Sequence, residues 1–328
     1  MTYGTYQDLE KFVWELEALL KANGIEIKNH GAFEEAALSL AEMDYMRQNP
    51  TGYDCTVDSR EKWRRALSLA DFAEKICLVR NHPDFSQLVP HLGLLGGESD
   101  ISQFSATKPQ NQDNNKVFEL YVAAMGLPIL TDISVDNPIQ SKGDNPDLMG
   151  TFKGKRWAIA CKAMHTTNPK TTCERIEEGI AQIELSSAEC GFVMVNMKNA
   201  IDHNALWPAE IRNGEYHYRE FPTVADALRL FQSEYHNFQA GVFGHFGSEL
   251  QFHRHLFKGK KAAPYVLLVF SSVVGLKGPT GPIFTVLKTI LCLCIGKDVE
   301  AEDFANRLNM GLHNRPDDPL VLGVDQVD

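Results

Sequence analysis

Through the first hundred residues apolar positions recur with the three-to-four spacing of amphipathic helices. In YQDLEKFVWELEALLKANG, Leu9, Phe12, Val13, Leu16, Leu19 and Leu20 form one stripe, which stops at Asn23-Gly24. GAFEEAALSLAEMDYMRQNP repeats the pattern and stops before Pro50. DSREKWRRALSLADFAEKICLV opens on an Asp58/Ser59 cap and turns Trp63, Ala66, Leu67, Ala70 and Phe72 towards a core. A shorter helix follows His82-Pro83. Periodicity then disappears in Gly96–Asn115, which is rich in Gly, Ser, Asn and Gln. This predicts a helical N-terminal region over 1–95, a linker over 96–115 and a second domain over 116–328.

Beyond the linker the pattern changes. NKVFELYVAAMGL predicts a helix closed by Gly126, and PILTDISVDN a strand. DLMGTFKGKRWAIACKAM predicts a hairpin turning at Lys153-Gly154, and TTCERIEEGIAQIELSSAE an amphipathic helix. GFVMVNM and PYVLLVFSSVVG are continuously apolar, as strands buried on both faces are. Between them a mostly helical insertion is expected from about Ala205 to Phe257. The order α-β-β-β-α-β, then an insertion and a further strand, predicts a mixed α/β fold with a sheet between helices.

Composition narrows the function classes. The chain has 328 residues, 44% hydrophobic and 23% charged, as a soluble globular protein does. Its start does not read as a signal peptide, and the apolar run Pro282–Ile295 is broken by Lys288 and too short to span a bilayer. Seven cysteines without paired spacing fit a reducing cytoplasm. The net charge of −11 argues against a wholly basic nucleic-acid coat. That charge is uneven: residues 1–100 balance at −7 and 296–328 at −5, leaving the middle near neutral. Within the middle, Lys153, Lys155, Arg156, Lys162 and Lys170 cluster, as a basic groove or a solvated face would. HExxH, CxxC, P-loop and Gly-x-Ser-x-Gly patterns are absent, and His253 and His255 are too close in sequence to share a metal on a helix.

The chemistry concentrates in NPDLMGTFKGKRWAIACKAM, Asn145–Met164. On the second arm Trp157, Ile159 and Cys161 share one face, and Ala158, Ala160 and Lys162 the other. An aspartate beside a strand-end lysine is what metal-assisted phosphodiester hydrolysis asks for. Carboxylates hold Mg²⁺, and a lysine orients the attacking water.

With its element order, the stretch resembles the core of the PD-(D/E)XK, or restriction-endonuclease-like, nucleases, over roughly Asn111 to Met197. Pro146-Asp147 matches PD, and Ala160-Cys161-Lys162 matches (D/E)XK with alanine in place of the acid. Some members of the superfamily move that acid to the following helix. Glu174, twelve positions after Lys162, is the first candidate here and Glu178 the second; the two share a helix face with Gln182. Thr171 with Glu174 also reads as a capping box.

The resemblance implies an Mg²⁺- or Mn²⁺-dependent endonuclease with a restriction-endonuclease-like fold. Asp147, Glu174 or Glu178, and the Cys161 main-chain carbonyl would hold metal, with Glu119 a further ligand and Lys162 orienting water. Lys153, Lys155, Arg156, His165 and Lys170 are the expected substrate contacts. DNA is the expected substrate, restriction or defence the expected context, and the helical N-terminal region the expected surface for a homodimer or partner protein. The competing expectation, supported by Ala160 and the acidic net charge, is an inactive nuclease-fold protein acting as a nucleic-acid-binding or interaction module.

Overall fold

Three amphipathic helices open the chain: α1 (Tyr6–Ala22), α2 (Ala32–Gln48) and α3 (Arg60–Val79). The computed structural model describes residues 6–49, 55–97, 112–139, 143–279, 281–294 and 298–313, so most of the expected linker lies outside the described residues. A series of short turns containing α4 (Val89–Leu92) precedes α5 (Gln112–Gly126). From Val117 to Gly126 α5 is buried throughout, because it lies between α3 and the sheet.

Strands β1 (Thr131–Val135), β2 (Leu148–Phe152) and β3 (Lys155–Ala163) form an antiparallel meander. Its second turn is Lys153-Gly154, with φ of 50° and 80°, the backbone that a two-residue hairpin loop requires. Helix α6 (Pro169–Leu185) then carries the chain to β4 (Cys190–Asn196), which pairs parallel with β3.

The expected insertion follows, with α7 (His203–Leu206) first. It contains a hairpin of β5 (Ala209–Arg212) and β6 (Glu215–Tyr218), turned by Asn213-Gly214, a dipeptide that is itself a hairpin signal. The short strand β7 (Glu220–Phe221), α8 (Val224–His245) and α9 (Glu249–Leu256) complete it. Strand β8 (Ala262–Lys277) pairs parallel with β4, and β9 (Pro282–Cys294) pairs antiparallel with β8 before α10 (Val299–Leu312). The main sheet is therefore mixed, in the order β1-β2-β3-β4-β8-β7 with β9 on β8, and helices cover both faces. Among the described residues no helix is long and apolar enough to cross a membrane.

The alternation in β3 separates two cores. Trp157, Ile159 and Cys161 join an apolar cluster with residues of α1, α2, α3, α5 and α10, whereas Ala158 and Ala160 join α6, α8 and α9 on the other face. The N-terminal helices thus share a continuous core with the sheet. Trp63 of α3 lies among Trp207, Tyr218 and Phe284, and Arg60 and Arg64 donate to the Trp207 and His203 carbonyls at 2.7 and 2.9 Å. A buried ionic group reinforces the join. Asp71 of α3 accepts from Tyr121 Oη of α5 at 2.7 Å, pairs with Lys288 of β9 and lies 3.7 Å from Lys75 Nζ, which donates to the Leu312 carbonyl.

Candidate active site

Asp147 is placed by its backbone. Its N–H donates to the Ile159 carbonyl, extending the β2–β3 ladder by one residue, and its carbonyl accepts from Asp136 N–H. The side chain turns inward and is only 6% exposed; Oδ2 accepts the Cys161 N–H at 2.6 Å. At Cys161 it is thus the amide that meets Asp147.

Glu119 reaches the same place from α5 and is also buried. Lys116, one helical turn earlier, bridges the two carboxylates: Nζ lies 2.9 Å from Glu119 Oε1, 3.0 Å from Glu119 Oε2 and 3.8 Å from Asp147 Oδ1. His91 Nε2 stands 3.3 Å from Glu119 Oε2. Asp136 adds its charge to this group, being felt at His91, Lys116 and Glu119, and its Oδ2 is buried without a hydrogen-bond partner among the described residues.

Burial sets the electrostatics. Together with the Glu119 charge it raises the Asp147 carboxyl to about 7, against the pull of Lys162, the Cys161 amide and Lys116. Burial also raises Glu119, outweighing Lys116. Burial and the Lys116 charge lower His91 to about 4, so near neutral pH its ring is uncharged. A neutral ring donates to the Glu119 carboxylate through Nε2–H, leaving Nδ1 buried and without a partner among the described residues.

Lys162 approaches from β3 and is held from α6. Its Nζ donates to Gln182 Oε1 at 2.5 Å, and Gln182 Nε2 donates to the Gly143 carbonyl at 2.8 Å. The buried Gln182 therefore ties the lysine to the loop that leads into Asp147.

Several expectations change here. Glu174 and Glu178 are exposed on α6, paired with Lys170 and Arg175, and the carboxylate felt at Asp147 is that of Glu119. The helix residue that reaches Lys162 is Gln182, one turn beyond Glu178. Glu174 does not form a capping box either, because the cap is Asn168, whose side chain accepts from Thr171 N–H ahead of Pro169. The small side chain of Ala160 is fully buried, and a Cβ on Gly179 would stand 3.4 Å from it, so α6 packs closely against that point.

Of the two readings of the basic cluster, a groove is not assembled from these residues. Lys153 and Lys155 pair with Asp303 and Glu300 of α10, and Arg156 bonds the Asp132 carbonyl and Ser134 Oγ. They stand at the turn into β3 and its first residues, whereas Lys162 is seven residues beyond Lys155, roughly 23 Å along an extended strand. Lys170 pairs with Glu174 on the exposed side of α6. His165, three residues past Lys162, contacts Asn199 at 2.9 Å, and burial lowers its imidazole.

Sequence reasoning missed Lys116, His91 and Asp136. It noted Gln182 as sharing a face with the glutamates without assigning it to the site. No protein-family model, curated protein or solved structure matches this chain.

Carboxylate oxygens are the donors that hard divalent ions take. Among the described residues no group of three His, Cys, Asp or Glu side chains is arranged to hold a metal. Two buried carboxylates are nevertheless what Mg²⁺ commonly takes from a protein, the other positions going to water and substrate phosphate.

Proposed function

We propose that this chain is a divalent-metal-dependent nuclease with a restriction-endonuclease-like α5-β1-β2-β3-α6-β4 core, hydrolysing phosphodiester bonds of DNA. The observation that carries the reading is the convergence of buried Asp147 and Glu119 with Lys162 at one end of β3.

Asp147 and Glu119 would hold Mg²⁺ or Mn²⁺, which when bound acts as a Lewis acid and lowers the pKa of its water. Lys162, steadied by Gln182, orients the attacking water and offsets charge developing on the phosphate oxygens. The water oxygen would bond to phosphorus as it gives a proton to solvent, the bond from phosphorus to one sugar oxygen would break, and that oxygen would take up a proton from solvent. The Cys161 N–H fixes the Asp147 carboxylate, as a second contact behind a ligand does.

A second reading has its own support. Ala160 supplies no strand carboxylate, and an amide rather than an acid reaches Lys162 from α6. An inert scaffold that retains nucleic-acid binding fits both facts. Incubation of the purified protein with Mg²⁺ or Mn²⁺ and a panel of single- and double-stranded DNA and RNA separates the two readings. Metal-dependent cleavage of DNA supports the nuclease. Binding without cleavage supports the scaffold.

A further inference from the structure

The carboxylate pair already holds a cation, the ammonium of Lys116. Among the described residues three basic groups stand near enough to offset Glu119 and Asp147, and they are not equivalent. His91 reaches only Glu119, through one ring nitrogen 3.3 Å from Oε2. Lys162 is engaged from the opposite side, its Nζ on Gln182 at 2.5 Å. Lys116 alone touches both Glu119 oxygens and approaches Asp147.

Lys116 is also positioned to leave. It stands in the first turns of α5, and its side chain is 19% exposed, against 6% for Glu119 and for Asp147. A lysine stem can swing its head to water without moving the helix axis. The carboxylates cannot follow, being on the buried side of α5 and in the β2 ladder.

The geometry points to Lys116 as an internal counter-ion that a divalent metal must displace before it can occupy the Glu119–Asp147 pair. This rests on the nuclease reading of the site. The contact is self-inhibitory: it keeps two buried carboxylates paired in the metal-free protein and weakens metal affinity by the strength of the pair it breaks. Glu119, Asp147 and Asp136 together attract a divalent ion more strongly than one ammonium, so the exchange proceeds once metal is abundant.

The test is Mn²⁺ affinity at pH 8, measured by calorimetry on the full chain and on Lys116→Met and Lys116→Gln, each checked for folding by circular dichroism. The expected result is binding at least about tenfold tighter in both variants than in the parent, with Asp147→Asn abolishing it. In the unmutated protein, acetylation of Lys116 by an amine-directed reagent, followed by mass spectrometry, should rise several-fold on adding Mn²⁺ while Lys162 stays protected.

Equal or weaker binding in the variants, or Lys116 acetylation unchanged by metal that demonstrably binds, overturns the displacement proposal and leaves the nuclease reading standing. Absence of Mn²⁺ binding in parent and variants alike overturns both.

Discussion

Gln182 of α6 and Lys162 of β3 meet at 2.5 Å, and the same amide reaches back to the Gly143 carbonyl at 2.8 Å. This contact gives Lys162 one orientation, and it can be removed without touching either carboxylate. Gln182→Ala should cost about 1 kcal/mol of stability, typical of a lost side-chain hydrogen bond, and about tenfold or more in cleavage rate. Because Gln182 acts through Lys162, adding the change to Lys162→Ala should produce little further loss of rate. Additive losses in the double variant would show that Gln182 has a separate role.

The close fit at Ala160 leads to a second prediction. Its side chain is fully buried, on the face where α6 approaches through Gly179. Ala160→Glu should therefore lower the melting temperature by several degrees, because four further heavy atoms, three of them a carboxylate, must enter a packed interface. Calorimetric Mn²⁺ titration should show no gain in affinity. Tighter binding with unchanged stability would show that the strand position can still supply a ligand.

How much of this was legible in the sequence depended on how local the cause was. The Lys153-Gly154 turn and the two faces of β3 follow from φ preferences and period-two alternation, and both appear as expected. Asp147 and Lys162 were readable because the backbone of one hairpin brings them together. The α6 residue was misassigned because periodicity gives a helix face but not how far along the helix the contact falls. That is fixed by the Asn168 cap and by Gly179 against Val193, which sequence spacing does not encode. His91 lies 28 residues before Glu119, on a short turn with no repeating pattern, and only tertiary packing joins them. Lys116 carries no signal of its own in the sequence for the same reason.

Asp147 makes stability depend on pH in an unusual direction for a carboxylate. Its folded value is about 7 and its ordinary value 3.8, so the folded protein retains the proton to higher pH. The stability this supplies is fully present below about pH 4 and is lost as pH rises through 7. Asp147→Asn should accordingly raise the melting temperature by a few degrees at pH 8 in the absence of metal, and change it little at pH 4. Thermal melts at the two pH values check this; a variant less stable than the parent at pH 8 contradicts it.

Asp71 behaves in the opposite way. Lys288, Lys75 and Tyr121 hold it at about 2 despite its burial, so its contribution is present above the ordinary 3.8 and lost as pH falls towards 2. Asp71→Ala leaves two buried or nearly buried lysines without their shared anion and should cost about 3–5 kcal/mol at pH 7. Chemical denaturation measures this directly. A loss below 1 kcal/mol would mean that the group does not fasten α3 to α5 and β9.

The central claim is that Asp147 and Lys162 belong to a working phosphodiesterase site. The most direct measurement is the rate of Mn²⁺-dependent DNA cleavage by the parent, Asp147→Asn and Lys162→Ala, prepared identically and shown to be folded. The account predicts cleavage by the parent and a loss of about 100-fold or more in each variant. Cleavage that survives both substitutions at the parental rate, or a parent that cuts no DNA with any divalent metal, would contradict it.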